Sequence, residues 1–439
     1  MFILQFVKHL RRKYSFFSPQ LSHEAYDLVV IGSGIIGMAI SRQILNENPN
    51  IKIVVVEKES EPGLHQSSHN SGVIHSGIYY KPDSLKAKLC VKGSNMILNY
   101  CQEKNIPYLP CGKLLPANSR CEIKELEALY QRGQENCVPG LEMIKSKSRI
   151  EQIQPDCQGV QALWSPNTAN VDWSIITKHF LNDYLSCGGN IKYNFEVLDI
   201  KGSPSTEFPI EVGSKNQSIF TKYLVCCSGV QSENLSSFFS PLHKGKNVSF
   251  RVQYLLMNDN NNCQVRTNIY EVPDPKAPFL GIHLSPTTDG KTLLGPSALP
   301  AFGREGYSSV DLNLTYIKDM LLYSGFQKMI VKNIPKCAVQ LAKSFCVEVQ
   351  HMQLKKLVGT LRLEDIKPGP VAVQSQLIDE DGHFVDDFVF EFFEGEGLSS
   401  RIINCRFLPS PAATSSMAIA KLVSAVFSNQ FERNARQYN

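Results

Sequence analysis

The sequence contains no uninterrupted apolar run approaching the roughly 18–20 residues of a transmembrane helix, so no segment reads as a membrane span. Its 13 cysteines form no Cys-x-x-Cys pair and no Cys/His cluster at zinc or iron–sulfur spacing, which excludes those metal centres as organising elements. Adjacent Cys226 and Cys227 fall in an apolar run, Tyr223 to Cys227, that reads as a buried strand. Buried free thiols in a reducing compartment are therefore expected, not a secreted disulfide framework. Charge of one sign is scarce too. Lys and Arg number 45 against 41 Asp and Glu, a net +4, and no dense basic run follows the N-terminus, so nucleic acid is excluded as a partner. Internal repeats and low-complexity tracts are missing. What remains is 439 residues, 43% hydrophobic and 20% charged, enough for two domains or one large domain with an insertion.

Acidic residues are absent before Glu24, while Lys8, Arg11, Arg12 and Lys13 stand among Phe2, Ile3, Leu4, Phe6, Val7, Leu10, Phe16 and Phe17. A basic, amphipathic, acid-free start resembles a mitochondrial presequence, so residues 1–24 are expected to lie outside the fold and the protein to be mitochondrial. A frayed tail or a helix on a membrane surface would share this composition.

The first folded element is the β-branched run Tyr26 to Ile31, a buried strand. It leads into Gly32-Ser33-Gly34-Ile35-Ile36-Gly37, the G-x-G-x-x-G pattern, then into a helix-like run Met38 to Asn46 and a second strand, Ile51 to Val56, ending at Glu57. Gly32 permits the tight turn, Gly34 lets backbone approach a pyrophosphate, and Gly37 lets helix and strand pack closely. The helix N-terminus offers amides and a positive dipole end to phosphates. Glu57 arrives where a carboxylate accepts ribose hydroxyls and repels a phosphate on that ribose. This is a dinucleotide site, and the motif alone does not separate FAD from NAD.

After the second strand a crossover helix would continue an NAD domain. Instead His65 to Tyr80 is irregular and dense in Ser, Gly, His and Asn, as suits backbone lying against a large polar ligand, before a helix near Ser84 to Asn105. From His69 to Lys81 the chain reads H-N-S-G-V-I-H-S-G-I-Y-Y-K. This run is similar to the signature of the L-2-hydroxyglutarate dehydrogenases, a branch of the D-amino-acid-oxidase-like FAD-dependent oxidoreductase superfamily. The likeness continues at Cys111-Gly112-Lys113-Leu114, Val171-Asp172, Asn194 to Val197, Cys226 to Ser232, Phe279 to His283, Arg304 to Tyr307, Asp386 to Phe390 and Pro409 to Ser416.

The resemblance implies FAD as cofactor and an α/β fold with two parts. One is a discontinuous Rossmann-like FAD-binding domain at 25–116, 161–242 and 370–431. The other is a mostly antiparallel β-sheet plus helix substrate domain at 117–160 and 243–369, with 432–439 as a tail. Residue patterns agree: a helix-like run Asp172 to Cys187 precedes strand-like runs Ile191 to Ile200 and Ile219 to Cys227, and loops are marked at 258–262 and 273–278. To the motif residues Gly32, Gly34, Gly37 and Glu57 the resemblance adds Lys58, His69, Ser71, Gly72, Val197, Gly229, Thr414 and Ser415 as cofactor contacts. Thr414, Ser415 and Ser416 precede a helix-like run, Met417 to Phe427, which in the family points at the flavin's pyrimidine end.

The implied activity is oxidation of L-2-hydroxyglutarate to 2-oxoglutarate, a small-molecule 2-hydroxy acid reaction. The electron acceptor stays open between a quinone, another flavoprotein such as an electron-transfer flavoprotein, and oxygen; peripheral membrane association is suggested by the family alone. The reaction removes a hydride to flavin and a proton to a general base, for which His75 and His283 are candidates, His75 first because its surroundings are glycine-rich. Tyr79, Tyr80, Lys81, Arg251 and Arg304 are candidates to hold a dicarboxylate. The chain departs from the family pattern at Val252, Gln253, Pro368 and Gln374, the last a neutral amide where the family carries Arg. Those departures motivate two other readings: a flavoprotein acting on another 2-hydroxy or amino acid, and an FAD-binding homologue that has lost turnover.

Overall fold

The computed structural model describes residues 24–239, 245–258, 263–274, 281–308, 310–393 and 397–437, with side chains through residue 431. The presequence expected at 1–24 lies outside the described residues except for Glu24, which opens the first strand. Most of the loops expected at 258–262 and 273–278 also lie outside them, as do the last two residues of the expected tail.

The first strand, Glu24–Ile31, is buried on both faces. Leu28 and Val30 enter the core on one side, and Tyr26, Val29 and Ile31 enter the core on the other. That is why its sequence is a continuous β-branched run and not an alternating one. It pairs in parallel with Ile53–Val56 on one side and with Ser218–Cys226 on the other. Asn190–Lys192 and Ile402–Phe407 extend the parallel sheet outward. A parallel pair needs a crossover, and the helix Ile35–Glu47 supplies the first one. With Leu85–Glu103, Trp173–Ser186 and Ala412–Gln437 it covers one face of the sheet, through Met38, Ile40, Ile97, Phe180 and Val423.

Two expectations change here. The run Ile191 to Ile200 is not one strand: Asn190–Lys192 and Asp199–Gly202 are separated by a loop turning at Asn194, whose φ is 55°. The Asn194 and Phe195 amides donate to Glu59 and Glu57 carbonyls, so the loop follows the end of the second strand. The C-terminal helix begins at Ala412, not Met417, and continues through Gln437 into the expected tail. Thr414, Ser415 and Ser416 are therefore in its first turns and do not precede it.

The second sheet runs Ile366–Ile378, Lys246–Met257, Thr292–Pro300, His283–Pro286, Asn268–Tyr270, Lys113–Ala117, Gln161–Ser165, Glu142–Ile144. All its pairings are antiparallel except Asn268–Tyr270 with Lys113–Ala117. The expected boundaries at 116, 161 and 370 cut through or beside strands of this sheet; ladder hydrogen bonding groups 113–117, 161–165 and 366–378 with it. Because both sheets draw on segments far apart in sequence, the chain passes repeatedly between them and a cleft is left where they meet.

Of the glycines packed in this layer, Gly37 at the glycine turn has the least room for a side chain. A Cβ on Gly37 would sit 1.9 Å from the Gly32 carbonyl oxygen, which is backbone and cannot yield. Gly37→Val is expected to destabilise the fold by about 1–3 kcal/mol or more, the range for overpacking, read as a lower midpoint in denaturant unfolding of the apoprotein. An unchanged midpoint would contradict this packing account.

Candidate functional site

The glycine turn is built before any ligand arrives. Gly32 has φ +97°, and a Cβ there would meet the Cys227 carbonyl oxygen at 2.5 Å. Glu57 Oε2 accepts from both the amide and the hydroxyl of Ser33 at 2.8 Å, and its Oε1 accepts from the Glu59 amide at 3.0 Å. The carboxylate thus ties the turn to the end of the second strand while still bordering the cavity. The helix Ile35–Glu47 has no side-chain cap at Gly34 and no acid in its first turn; only the Ile35 amide finds a side chain, Ser67 Oγ at 2.9 Å. Its positive end and the glycine backbone face the cavity, the chemistry a dinucleotide diphosphate requires.

One cavity of about 720 Å³ runs from this turn along the meeting line of the two sheets. Gly32, Gly34, Glu57 and Lys58 border it, as do His69, Ser71, Val197, Gly229 and Thr414. Lys58 is held between Glu59 and Glu305 at 2.7 Å each. His69 packs on Tyr307 at 4.7 Å between ring centroids. Three expected contacts do not border the cavity. Gly37 serves helix packing. Gly72, at φ +72°, is required by the Val171 carbonyl, 2.7 Å from where a Cβ would be. Ser415 is turned into the contact with the helix Leu85–Glu103, where a Cβ on Gly93 would meet the Ser415 Cα at 2.7 Å.

At the other end of the cavity stand His75, His283, Tyr79 and Tyr80, with Tyr254 and Tyr270, which sequence reasoning passed over. His75 is clamped by its backbone: Thr414 Oγ1 accepts its amide at 3.1 Å and the Cys90 thiol donates to its carbonyl at 3.3 Å. Its Nε2 is 3.5 Å from Ser410 Oγ, and its Nδ1 is buried without a partner. His283 lies flat on Tyr270, 4.2 Å between centroids and 4° between planes. His283 Nδ1 is 3.3 Å from the Gly281 carbonyl, which can only accept, so Nδ1 carries the proton; Nε2 is buried and has no protein partner. Burial first, then the Lys113 charge and His283, holds His75 well below its ordinary value. Burial lowers His283 to about 3 despite the opposing Gly281 bond.

Lys113, also missed, is 1% exposed and sits 4.1 Å from the Tyr270 ring centroid and 5.0 Å from that of Tyr79. Burial lowers its ammonium to about 7. The only early signal was its place in the run Cys111 to Leu114. Lys86, which borders the cavity, has its ammonium 3.2 Å from Asp386.

The expected carboxylate ligands divide. Tyr79 and Tyr80 border the cavity, but Lys81, Arg251 and Arg304 do not. Lys81 is exposed where the chain turns out to start the helix Leu85–Glu103. Arg251 fails for a reason of period: Val252 and Tyr254 face the cavity, so their strand neighbours Arg251 and Gln253 face away and bond each other at 3.0 Å. Arg304 is paired with Glu233 at 3.1 Å. Of the departures from the family pattern, Val252 and Gln374 border the cavity and Gln253 and Pro368 do not.

Residues 27–339 match the family of FAD dependent oxidoreductases. The chain is 43% identical over 410 residues to the mitochondrial L-2-hydroxyglutarate dehydrogenase of Caenorhabditis briggsae, covering 93% of this chain and 94% of that protein. It is 40% identical over 424 residues to the human protein of the same name, covering 94% and 91%. Among solved structures, the L-alpha-glycerophosphate oxidase of Mycoplasma pneumoniae with FAD bound superposes with a TM-score of 0.72 at 21% identity, over 92% of this chain and 95% of that one. Glycine oxidase of Geobacillus kaustophilus superposes at 0.66 with 15% identity, over 92% and 95%. Those backbones establish the fold, and the closer sequences establish the branch. The uncapped glycine turn suits the FAD that this family uses, and the chain belongs to the FAD-dependent oxidoreductases and, within them, to the L-2-hydroxyglutarate dehydrogenases.

Proposed function

We propose that this chain oxidises L-2-hydroxyglutarate to 2-oxoglutarate, with FAD held by the glycine turn. The observation that carries the reading is one cavity joining the dinucleotide cradle to two buried imidazoles. The names of the relatives supply the substrate. FAD, when bound, takes the hydride from the hydroxyl-bearing carbon. The residues do the rest. His283 is assigned as the base, because its Nδ1 proton is committed to Gly281 and its Nε2 lone pair is free. His75, fixed by Thr414 and Cys90, orients the substrate beside it. The tyrosines at 79, 254 and 270 exclude water. The division into a cofactor unit and a substrate unit follows the two sheets, with 113–117, 161–165 and 366–378 in the substrate unit.

We place the protein at the inner surface of the inner mitochondrial membrane or in the matrix, passing electrons to a quinone or an electron-transfer flavoprotein. The relatives are named mitochondrial, and among the described residues no helix is long and apolar enough to cross a membrane. Peripheral association is supported by the helix Ile334–Phe345, where Ile334, Leu341 and Phe345 recur at helical spacing on an exposed face. A second substrate reading, another 2-hydroxy acid, is favoured by one observation only: Gln374 borders the cavity where an Arg is expected.

Anaerobic L-2-hydroxyglutarate should bleach the visible flavin band of purified holoenzyme, and a panel of 2-hydroxy acids should bleach it more slowly. Faster bleaching by another acid would favour the second reading. His283→Gln should slow flavin reduction about 100-fold or more, and His75→Gln should slow it less, measured by stopped-flow absorbance. Because burial holds the folded-state value of His283 below its ordinary 6.5, its base form persists on acidification, so the pH profile of wild-type flavin reduction should show no loss that titrates near 6.5 and disappears in His283→Gln. The reverse order of the two variants would move the base to His75. The protein should also float with anionic phospholipid vesicles, and Leu341→Asp with Phe345→Asp should abolish flotation without altering flavin reduction; flotation unchanged in the double variant would remove this helix from the account.

A further inference from the structure

Arg251 and Arg304, expected to hold a carboxylate, belong to a join between the two sheets. The segment Arg304–Tyr307 follows the strand Thr292–Pro300 of the second sheet, and its backbone stays there: Ser249 Oγ donates to the Arg304 carbonyl at 2.8 Å and Arg251 Nε to the Tyr307 carbonyl at 3.2 Å. Its side chains reach the connections of the first sheet. Arg304 pairs with Glu233 on the short helix Ser232–Ser236 at 3.1 Å. Glu305 takes the Lys58 ammonium at 2.7 Å and accepts from Gln231 Nε2 at 3.0 Å. Tyr307 packs on His65 and His69, at 5.9 and 4.7 Å between ring centroids. Lys58, His65, His69, Gln231 and Glu305 all border the cavity, and Lys58 follows Glu57 in the chain, so the join stands at the nucleotide end. The Lys58 and Glu305 side chains are also 27% and 24% exposed, which puts them where the cavity meets solvent.

The join is made of charges and rings. Glu59, 2.7 Å from Lys58, and Glu305 both face His65, at 2.9 and 3.9 Å. None of these residues belongs to the apolar clusters that form the cores. Half-exposed ion pairs are weak one by one, are screened by salt, and part and re-form without repacking a core. A dinucleotide with its ribose at Glu57 lies next to them. We propose that Arg304–Tyr307 is a clasp across the nucleotide end of the cavity, which parts for FAD to enter or leave and so sets how long FAD stays. The clasp rests on FAD as the cofactor of this family and not on the identity of the hydroxy acid. A gate and a simple contact behave differently. Loosening a gate speeds entry and release together and leaves affinity nearly unchanged, whereas deleting a contact speeds release alone.

The test compares wild type with Glu305→Gln, Tyr307→Ala and the two combined. FAD uptake by apoprotein is followed by stopped-flow fluorescence quenching, and release from holoenzyme by capture of free FAD on an excess of a second apoflavoprotein. The combined variant is expected to raise both rates about fivefold or more while the ratio of the two stays within about threefold of wild type. Both rates within about twofold of wild type would overturn the proposal, and so would faster release with unchanged uptake. Should the variants fail to fold, wild-type protein is treated with a carbodiimide, which joins the Lys58 amine to the Glu305 carboxylate as an amide, and the linked peptides are identified by mass spectrometry. Linked holoenzyme should keep its FAD through dialysis that strips the unlinked form, and linked apoprotein should take up FAD at least tenfold more slowly. Loss or uptake at the unlinked rate would equally overturn it. Neither readout involves the hydroxy acid, so a failure of L-2-hydroxyglutarate to reduce the flavin would leave this test intact.

Discussion

The site depends on one close approach: the bare backbone of Gly37 against the carbonyl of Gly32, itself jammed against Cys227. That contact sets the angle at which the helix Ile35–Glu47 leaves the sheet, and so the direction of its amides. Glu57 then locks the turn from the opposite strand through Ser33. The opposite end of the cavity is set independently, by Thr414 and Cys90 gripping the backbone of His75 and by Tyr270 stacking on His283. The cofactor cradle is thus made of backbone and the reacting end of side chains, and each tolerates a different kind of change.

The reacting end is also where the protein accepts its least comfortable burial. Two imidazoles with an unpartnered nitrogen each, a tyrosine hydroxyl with no partner and a lysine with a lowered value lie within one small region. Groups left unsatisfied in a folded interior are expected where a ligand will complete them.

How much was legible in the sequence follows from the range of the forces involved. The glycine turn, the first strands and the helices starting after Ser84 and Asp172 are local, so spacing and caps reveal them; Ser84 and Asp172 do cap their helices. The identity of the carboxylate ligands is not local. Arg251 sits in the right segment and on the wrong face, which the pairing of its strand in the sheet decides. Lys113 carries no motif that distinguishes a buried cation from a surface one. Asn194 divides an apolar run because the end of the neighbouring strand captures the amides beyond it, a tertiary demand that periodicity does not contain.

The parallel sheet has a temporal consequence. Its central strand, Glu24–Ile31, finds one neighbour at Ser218–Cys226, and that neighbour finds its own at Ile402–Phe407, shortly before the helix that grips His75. A chain delivered from its N-terminus, whether by a ribosome or through a translocation pore, therefore exposes a finished glycine turn long before the wall opposite it exists. Cofactor capture is left to the last tenth of synthesis, and any premature stop there yields a protein with its nucleotide motif intact and nowhere to keep the nucleotide.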